Sequence, residues 1–182
     1  MKDGFLKAAT LSPALRVADC AYNVRQITDA LHKAAARGVK LAVFPEFCLT
    51  GYTCGDLFLQ DTLLQGAEEG LQTILAATRN LDIVTALGLP VWDKWDNKLY
   101  NCAAVIQKGE ILGLIPKTYL PNYGEFYEQR WFASGSGVEH GIELCGQHVS
   151  LCVNQTFACD TMPNLVIGVE ICEDLWAPAP PS

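Results

Sequence analysis

Three short stretches of this 182-residue sequence carry side chains that could do chemistry together. The stretch LVIGVEICEDLW, residues 165–176, ends an apolar run on Cys172 and surrounds it with Glu170, Glu173 and Asp174. A thiol attacks only as its thiolate, its free pKa is about 8.5, and neighbouring anions push that value higher. Cys172 is therefore either a packing cysteine beside a solvated turn or a nucleophile that borrows a base and a cation from elsewhere. Two other stretches supply candidates. In AVFPEF, Glu46 follows an apolar run across Pro45; in LIPKTYLPNYGEFYEQRWF, Lys117 follows another across Pro116. Brought into one cleft, the carboxylate takes the thiol proton as general base, while the ammonium offsets local negative charge and stabilises an oxyanion. Taken singly, each residue has a plainer reading: a solvated turn glutamate, a surface lysine, a core cysteine. The joint pattern favours the chemical one, because two of the loops share a proline before the charged residue and all three follow strand-like runs.

The elements that must position these loops alternate between strand and helix. FLKAAT, 5–10, reads as a short strand. Asp19 is an N-cap for a helix whose apolar residues Val24, Ile27, Leu31 and Ala34 recur at helical spacing, with Gly38 ending it. KLAVF, 40–44, is a continuous apolar run typical of a buried strand, stopped by Pro45. Helical periodicity returns over 61–79, and DIVTALGLPVW, 82–92, reads as a strand. Residues 98–117 form a hairpin around Gln107–Glu110, where Gly109 takes the positive φ of a tight turn. The aromatic, glycine-rich segment 118–140 reads as loop. Strands follow at 147–153 and 165–171, and APAPPS, 177–182, reads as a stop. This order predicts a layered α/β sandwich with a mixed sheet. Only ten residues follow Cys172, too few to cover so apolar a strand, so the fold is expected to be a truncated piece of a larger one.

Half of the residues are hydrophobic, 18% are charged and the mean hydropathy is +0.16, a balance that predicts strands buried on both faces or a surface made for a partner. A net charge of −7 argues against a nucleic-acid ligand. No apolar run approaches the roughly 20 residues of a membrane span, and no export signal is legible. The eight cysteines contain no CxxC pair and mostly sit in apolar contexts, so reduced thiols and a cytoplasmic location are expected, with no metal site.

The blocks PEFCLTGY with GDLF, PKTYLPNYGEFYEQRWF and ICEDLW closely resemble the carbon–nitrogen hydrolase (nitrilase) superfamily, and within it the glutaminase domains of glutamine-dependent NAD synthetases. The similarity runs in the family's order along essentially the whole chain. It implies an α/β fold, a nitrilase-like α-β-β-α sandwich with mixed sheets truncated at the C-terminus. Residues 1–182 would be the N-terminal portion of the glutaminase domain, and the ATP-binding synthetase domain would be absent. It also implies that Glu46 is the general base, that Cys172 attacks the side-chain amide of L-glutamine, and that Lys117 holds the oxyanion with a backbone N–H, that of Glu173. Glu125, eight residues after Lys117, is implied as the second glutamate that positions the lysine. Tyr123, Phe126, Tyr52 and Glu173 are implied to line the glutamine pocket. No cofactor serves this step in the family. ATP and Mg belong to the synthetase domain of the same full-length chain, which uses the released ammonia to amidate nicotinic acid adenine dinucleotide to NAD; its SGGxDS-type phosphate loop does not occur here. The resemblance further implies a homo-oligomer. A stand-alone amidase or carbamoylase is the competing enzymatic reading, disfavoured by LPNYGEF and ICEDLW. An inactive interaction module is the other, disfavoured by the intact Glu46, Lys117 and Cys172. Lys117→Ala is expected to stop thioester formation while leaving the fold.

Overall fold

A computed structural model describes residues 4–181. Met1–Asp3 and Ser182, the last residue of the APAPPS stop, lie outside them.

A parallel strand pair opens the chain: β1 (Ala8–Thr10) and β2 (Leu41–Val43), joined through helix α1 (Cys20–Ala36). The predicted cap forms, with Asp19 accepting the Tyr22 N–H at 3.0 Å. Gly38 closes the helix at φ +77, a conformation that costs a glycine little. Helix α2 (Asp61–Thr78) packs beside α1 and leads to β3 (Val84–Asp93), which runs parallel to β2. Next come β4 (Lys98–Gln107) and β5 (Glu110–Pro116), both antiparallel to their predecessors. Lys108 and Gly109 connect them with φ of +51 and +85, the two positive values that a two-residue turn needs to match the strand twist. Strands β6 (Glu139–Leu144) and β7 (Gln147–Cys152) complete a seven-stranded mixed sheet in the order β1-β2-β3-β4-β5-β7-β6.

Strand alternation divides the side chains between two faces. Leu87, Leu89 and Val91 of β3 and Tyr100, Cys102, Ala104 and Ile106 of β4 meet Ile27, Leu31, Leu71 and Ile74 of the helices in the main core. Ala86, Ala103, Val105 and Ile115 point the other way, onto Phe157, Val169 and Ile171. A short hairpin, β8 (Phe157–Cys159) and β9 (Met162–Ile167), lies on that second side. The described residues thus supply a helix layer, a seven-stranded mixed sheet and a two-stranded second sheet, the layered α/β arrangement expected from the sequence.

Several boundaries differ from the sequence expectation. Strand β6 begins inside the segment read as loop: Glu139, Gly141 and Glu143 face outward, and only the last two inward residues, Ile142 and Leu144, are apolar and reach the main core, which leaves too short an alternation to read as a strand. The strand expected over 165–171 stops at Ile167, since its partner β8 is three residues long and the ladder runs out. Val169 and Ile171 use their apolar surface to pack on the main sheet instead. Cys172 therefore stands on a turn beyond the strand, just before the single-turn helix α3 (Glu173–Trp176).

Candidate active site

The loop after β2 is built around a close approach. Residues 47–50 are buried, Phe47 has φ +51, and Gly51 N–H reaches back to Phe47 O at 2.7 Å. The turn lies directly on Gly88 of β3. A Cβ there would stand 2.4 Å from the Phe47 nitrogen and 2.9 Å from Glu46 Cα. Only glycine lets this turn settle on the sheet, and that contact fixes Glu46.

Lys117 follows β5, and its own N–H bonds Asn101 O of β4 at 2.8 Å. Its side chain is fully buried, and Nζ lies 2.7 Å from Glu46 Oε1 and 2.7 Å from Glu128 Oε1. Asn101 donates Nδ2–H to Glu46 Oε1 at 2.5 Å and to Glu128 Oε2 at 3.4 Å. Tyr52 donates its hydroxyl to Glu128 Oε1 at 2.6 Å. One ammonium thus serves two carboxylates in a nearly dry setting. A buried ammonium without partners would lose its proton, because low dielectric penalises charge. Here burial pulls the Lys117 pKa down, but attraction and hydrogen bonding from Glu46 and Glu128 outweigh it and the pKa is raised. For Glu46 the balance also falls upward: burial dominates, opposed by Lys117 and Asn101 and reinforced by Glu128. A carboxylate held above its ordinary range is better matched to accepting a proton from a thiol.

Cys172 is the only exposed cysteine among the described residues, with Cys145 and Cys159 half-buried and the other five buried. It has φ +48 and ψ −99, a conformation that a non-glycine residue holds only when its surroundings impose it. Cys172, Glu46, Asn101 and Gly88 line one cavity of about 100 Å³. The thiol pKa is raised by partial burial and then by Glu46, while Lys117 acts in the lowering direction and Glu128 and Glu173 oppose it. The resting thiol is therefore protonated at neutral pH and reacts only with a base beside it.

The four expected pocket residues touch one another in series but share no one cavity: Tyr52 and Phe126 border an aromatic cavity, Tyr123 and Glu173 border an open groove, and none of the four borders the Cys172 cavity. Tyr123 donates its hydroxyl to Glu173 at 3.0 Å, and Phe126 packs edge-on against both Tyr52 and Tyr123, with ring centroids 6.4 and 5.8 Å apart. Glu125 is exposed and borders the same aromatic cavity, of about 190 Å³. The second carboxylate on Lys117 is Glu128, three residues further along. The physical reason is a tight turn: Phe126 N–H bonds Tyr123 O at 3.0 Å, which leaves Glu125 outside. A 3₁₀ turn at Glu128–Arg130 then brings Glu128 to the same inward side as buried Phe132, four residues on. Asn101, Glu128 and Asp174 are site residues that sequence reasoning passed over. For Asn101 the available signal was an amide inside the apolar run LYNCAAVI. Among the described residues no group of three or more His, Cys, Asp or Glu side chains could hold a metal ion, and no helix is long and apolar enough to cross a membrane.

A mixed sheet with a buried lysine–carboxylate cluster and a strained cysteine turn on one side defines a class, and comparison with known proteins gives the same one. Residues 7–180 match the carbon-nitrogen hydrolase family, and the chain belongs to it. The chain is 38% identical over 179 residues to the glutamine-dependent NAD(+) synthetase of Mycobacterium tuberculosis (strain ATCC 25618 / H37Rv), an alignment that takes in 98% of this chain and 26% of that protein. Among solved structures, the glutamine-dependent NAD(+) synthetase of Cytophaga hutchinsonii superposes with a TM-score of 0.82 at 30% identity, covering 92% of this chain and 28% of the other. The corresponding synthetase from Acinetobacter baumannii gives a TM-score of 0.69 at 28% identity, with 94% and 28% coverage. The chain thus spans about a quarter of the length of these relatives.

Proposed function

We propose that this chain is the glutamine-hydrolysing part of a glutamine-dependent NAD synthetase and that Glu46, Lys117 and Cys172 carry the reaction. Glu46 takes the Cys172 proton as the sulfur attacks the side-chain amide carbon of glutamine. Lys117 and a backbone N–H of the Cys172 turn, that of Glu173, stabilise the tetrahedral oxyanion. Glu46 returns the proton to the amide nitrogen, the C–N bond breaks, and ammonia leaves a γ-glutamyl thioester. Water then gives a proton to Glu46 and attacks the thioester; collapse yields glutamate and the thiol. Two easier acyl steps replace one difficult amide cleavage. Glu128, rather than Glu125, is the second glutamate that holds the lysine. Tyr52, Tyr123, Phe126 and Glu173 contact the substrate, with methylenes on the rings and the α-ammonium near Glu173. The ammonia would serve ATP-dependent amidation of nicotinic acid adenine dinucleotide in the full-length enzyme, where ATP and Mg act in another domain. We also propose a cytoplasmic location and a homo-oligomeric assembly.

The observation that carries this reading is the fully buried Lys117, shared between two carboxylates beside the cavity that Cys172 and Glu46 line together. The test is glutamine turnover by the full-length protein, combined with labelling by a glutamine-mimicking diazo ketone. Release of ammonia and glutamate, with labelling at Cys172 lost in Cys172→Ala, is the expected result. Turnover of short aliphatic amides without turnover of glutamine would replace the reading with a stand-alone amidase.

A further inference from the structure

Asp174 is fully buried, yet no lysine or arginine side chain bonds it among the described residues. Its carboxylate is instead satisfied by backbone. Oδ1 accepts the N–H groups of Tyr119 at 2.8 Å and Thr118 at 3.1 Å, and Oδ2 is 3.4 Å from the N–H of Ile171. The first two belong to the residues directly after Lys117, and the third directly precedes Cys172. Asp174 N–H in turn bonds Ile171 O at 3.1 Å, so the carboxylate closes a tight ring around the cysteine turn. Two exposed contacts join the same loops, Tyr123 to Glu173 and Tyr119 to Ala179 O at 2.9 Å. They lie at the surface, where water competes for the same donors. Among the described residues, the hydrogen bonds to the fully buried Asp174 side chain are the most sheltered of these connections, and charge-assisted hydrogen bonds strengthen as water is excluded.

We propose that Asp174 is a positioning residue that fixes the strained Cys172 turn to the loop following Lys117, and so sets the separation between the attacking sulfur and the ammonium that receives the oxyanion. The inference rests on the catalytic reading above for its consequence, although not for its geometry. The strain at Cys172 needs such a restraint, because a positive φ on a non-glycine residue relaxes when its surroundings loosen. A carboxylate suits the task. Three convergent N–H groups call for an acceptor with no hydrogen of its own, and an asparagine amide would turn two N–H bonds toward donors. Burial raises the Asp174 pKa, opposed by the three backbone donors and, less strongly, by Lys117.

The experiment compares wild type with Asp174→Asn, which keeps shape and volume. For glutamine hydrolysis, kcat should fall on the order of 10²-fold, the effect of a displacement of about 1 Å, with KM changed by less than about threefold. The pH midpoint for alkylation of Cys172 by iodoacetamide, a reaction that needs no glutaminase activity, should also move. Unchanged kcat and midpoint in a folded variant would overturn the proposal, and so would a loss fully accounted for by the unfolded fraction. Should wild type fail to hydrolyse glutamine, the catalytic reading falls while the alkylation midpoint still decides the clamp. If the asparagine variant does not fold, hydrogen exchange on wild type substitutes for it. Thr118 and Tyr119 amides protected well beyond those of residues 122–125 are expected, and amides that exchange as fast would refute the clamp.

Discussion

Replacing Lys117 by methionine removes an ammonium while keeping most of the side-chain volume, and the consequence should appear first in stability. Lys117 is fully buried, and the Glu46 and Glu128 side chains on either side of its Nζ are 16% and 3% exposed. Removing the cation leaves two carboxylates facing each other across a dry gap, with Asn101 and Tyr52 as their remaining donors. Breaking a buried ion pair from one side costs about 3–5 kcal/mol, because the stranded charge keeps its desolvation penalty. Single domains have only about 5–15 kcal/mol in hand, so the variant should be folded but fragile. At 150–250 residues each kcal/mol moves the melting temperature by about 2–4 °C, which predicts a drop of about 6–20 °C near neutral pH. On this reckoning the fold expected to survive Lys117→Ala does survive, with a smaller margin of stability.

The pH dependence carries the sharper test. Without the ammonium, one of the two carboxylates must take a proton to stay buried, so its folded pKa rises above the unfolded value. Between those two values the folded state binds more protons than the unfolded state, and stability falls as pH rises through the window. Acidification from about pH 8 toward pH 5 should therefore recover part of the loss, by at most about 1.4 kcal/mol per pH unit for one proton. Urea melts of wild type and variant at several pH values measure the difference directly. A variant as stable as wild type at pH 8, or one that loses further ground on acidification relative to wild type, would refute the buried two-carboxylate arrangement.

Two other outcomes follow from the same geometry. Gly88→Ala places a Cβ roughly 1 Å inside ordinary contact with the Glu46–Phe47 backbone; overpacking of this kind costs about 1–3 kcal/mol. Alanine in a strand is otherwise favoured over glycine by about 0.5–1 kcal/mol, so any loss of stability or of glutaminase kcat reports the clash, and a variant matching wild type in both would contradict the close approach. The rate of diazo-ketone labelling at Cys172 should fall with acid along a limb whose midpoint lies above the 4.5 of an ordinary glutamate, because burial holds the Glu46 pKa up and a protonated Glu46 cannot accept the thiol proton. A midpoint at or below 4.5 would remove Glu46 as the base.

What the sequence disclosed and what it hid separate along a physical line. Elements with period and punctuation were legible: Asp19 and Gly38 mark both ends of α1, and Lys108–Gly109 marks the hairpin. Glu46 and Lys117 were legible as charged residues placed just after apolar strands. Residues whose significance comes from long-range partners were not. Asn101 looks like an irregularity in a strand until alternation turns it to the face where Lys117 also points. Asp174 looks like one more acid beside Cys172 until the loop after Lys117 presents its N–H groups. The acids around the cysteine were read as a single local charge, but they do three different things: Glu173 meets Tyr123 at the surface, Asp174 ties two loops together, and Glu170 is half-buried in the wall of the Cys172 cavity.

This division of labour explains how a thiol can be placed among acids without being disabled. Partial burial first, and Glu46 and the other carboxylates after it, push the Cys172 pKa up and so favour a protonated resting thiol. That state is an advantage for a nucleophile that reacts with one substrate, since a standing thiolate on an exposed turn would be open to any passing oxidant or electrophile. Reactivity then depends on a base that is itself held ready, and Glu46 is held by the same ammonium that would receive the developing negative charge. Both Lys117 and Asn101 bond Glu46 through Oε1, and among the described residues Oε2 has no hydrogen-bond partner. In the proposed mechanism that oxygen takes the proton. In the proposed mechanism the lysine sets the position of the base, the charge balance of the thiol and the site of the oxyanion from one buried atom, which is why its loss should disturb folding and chemistry together.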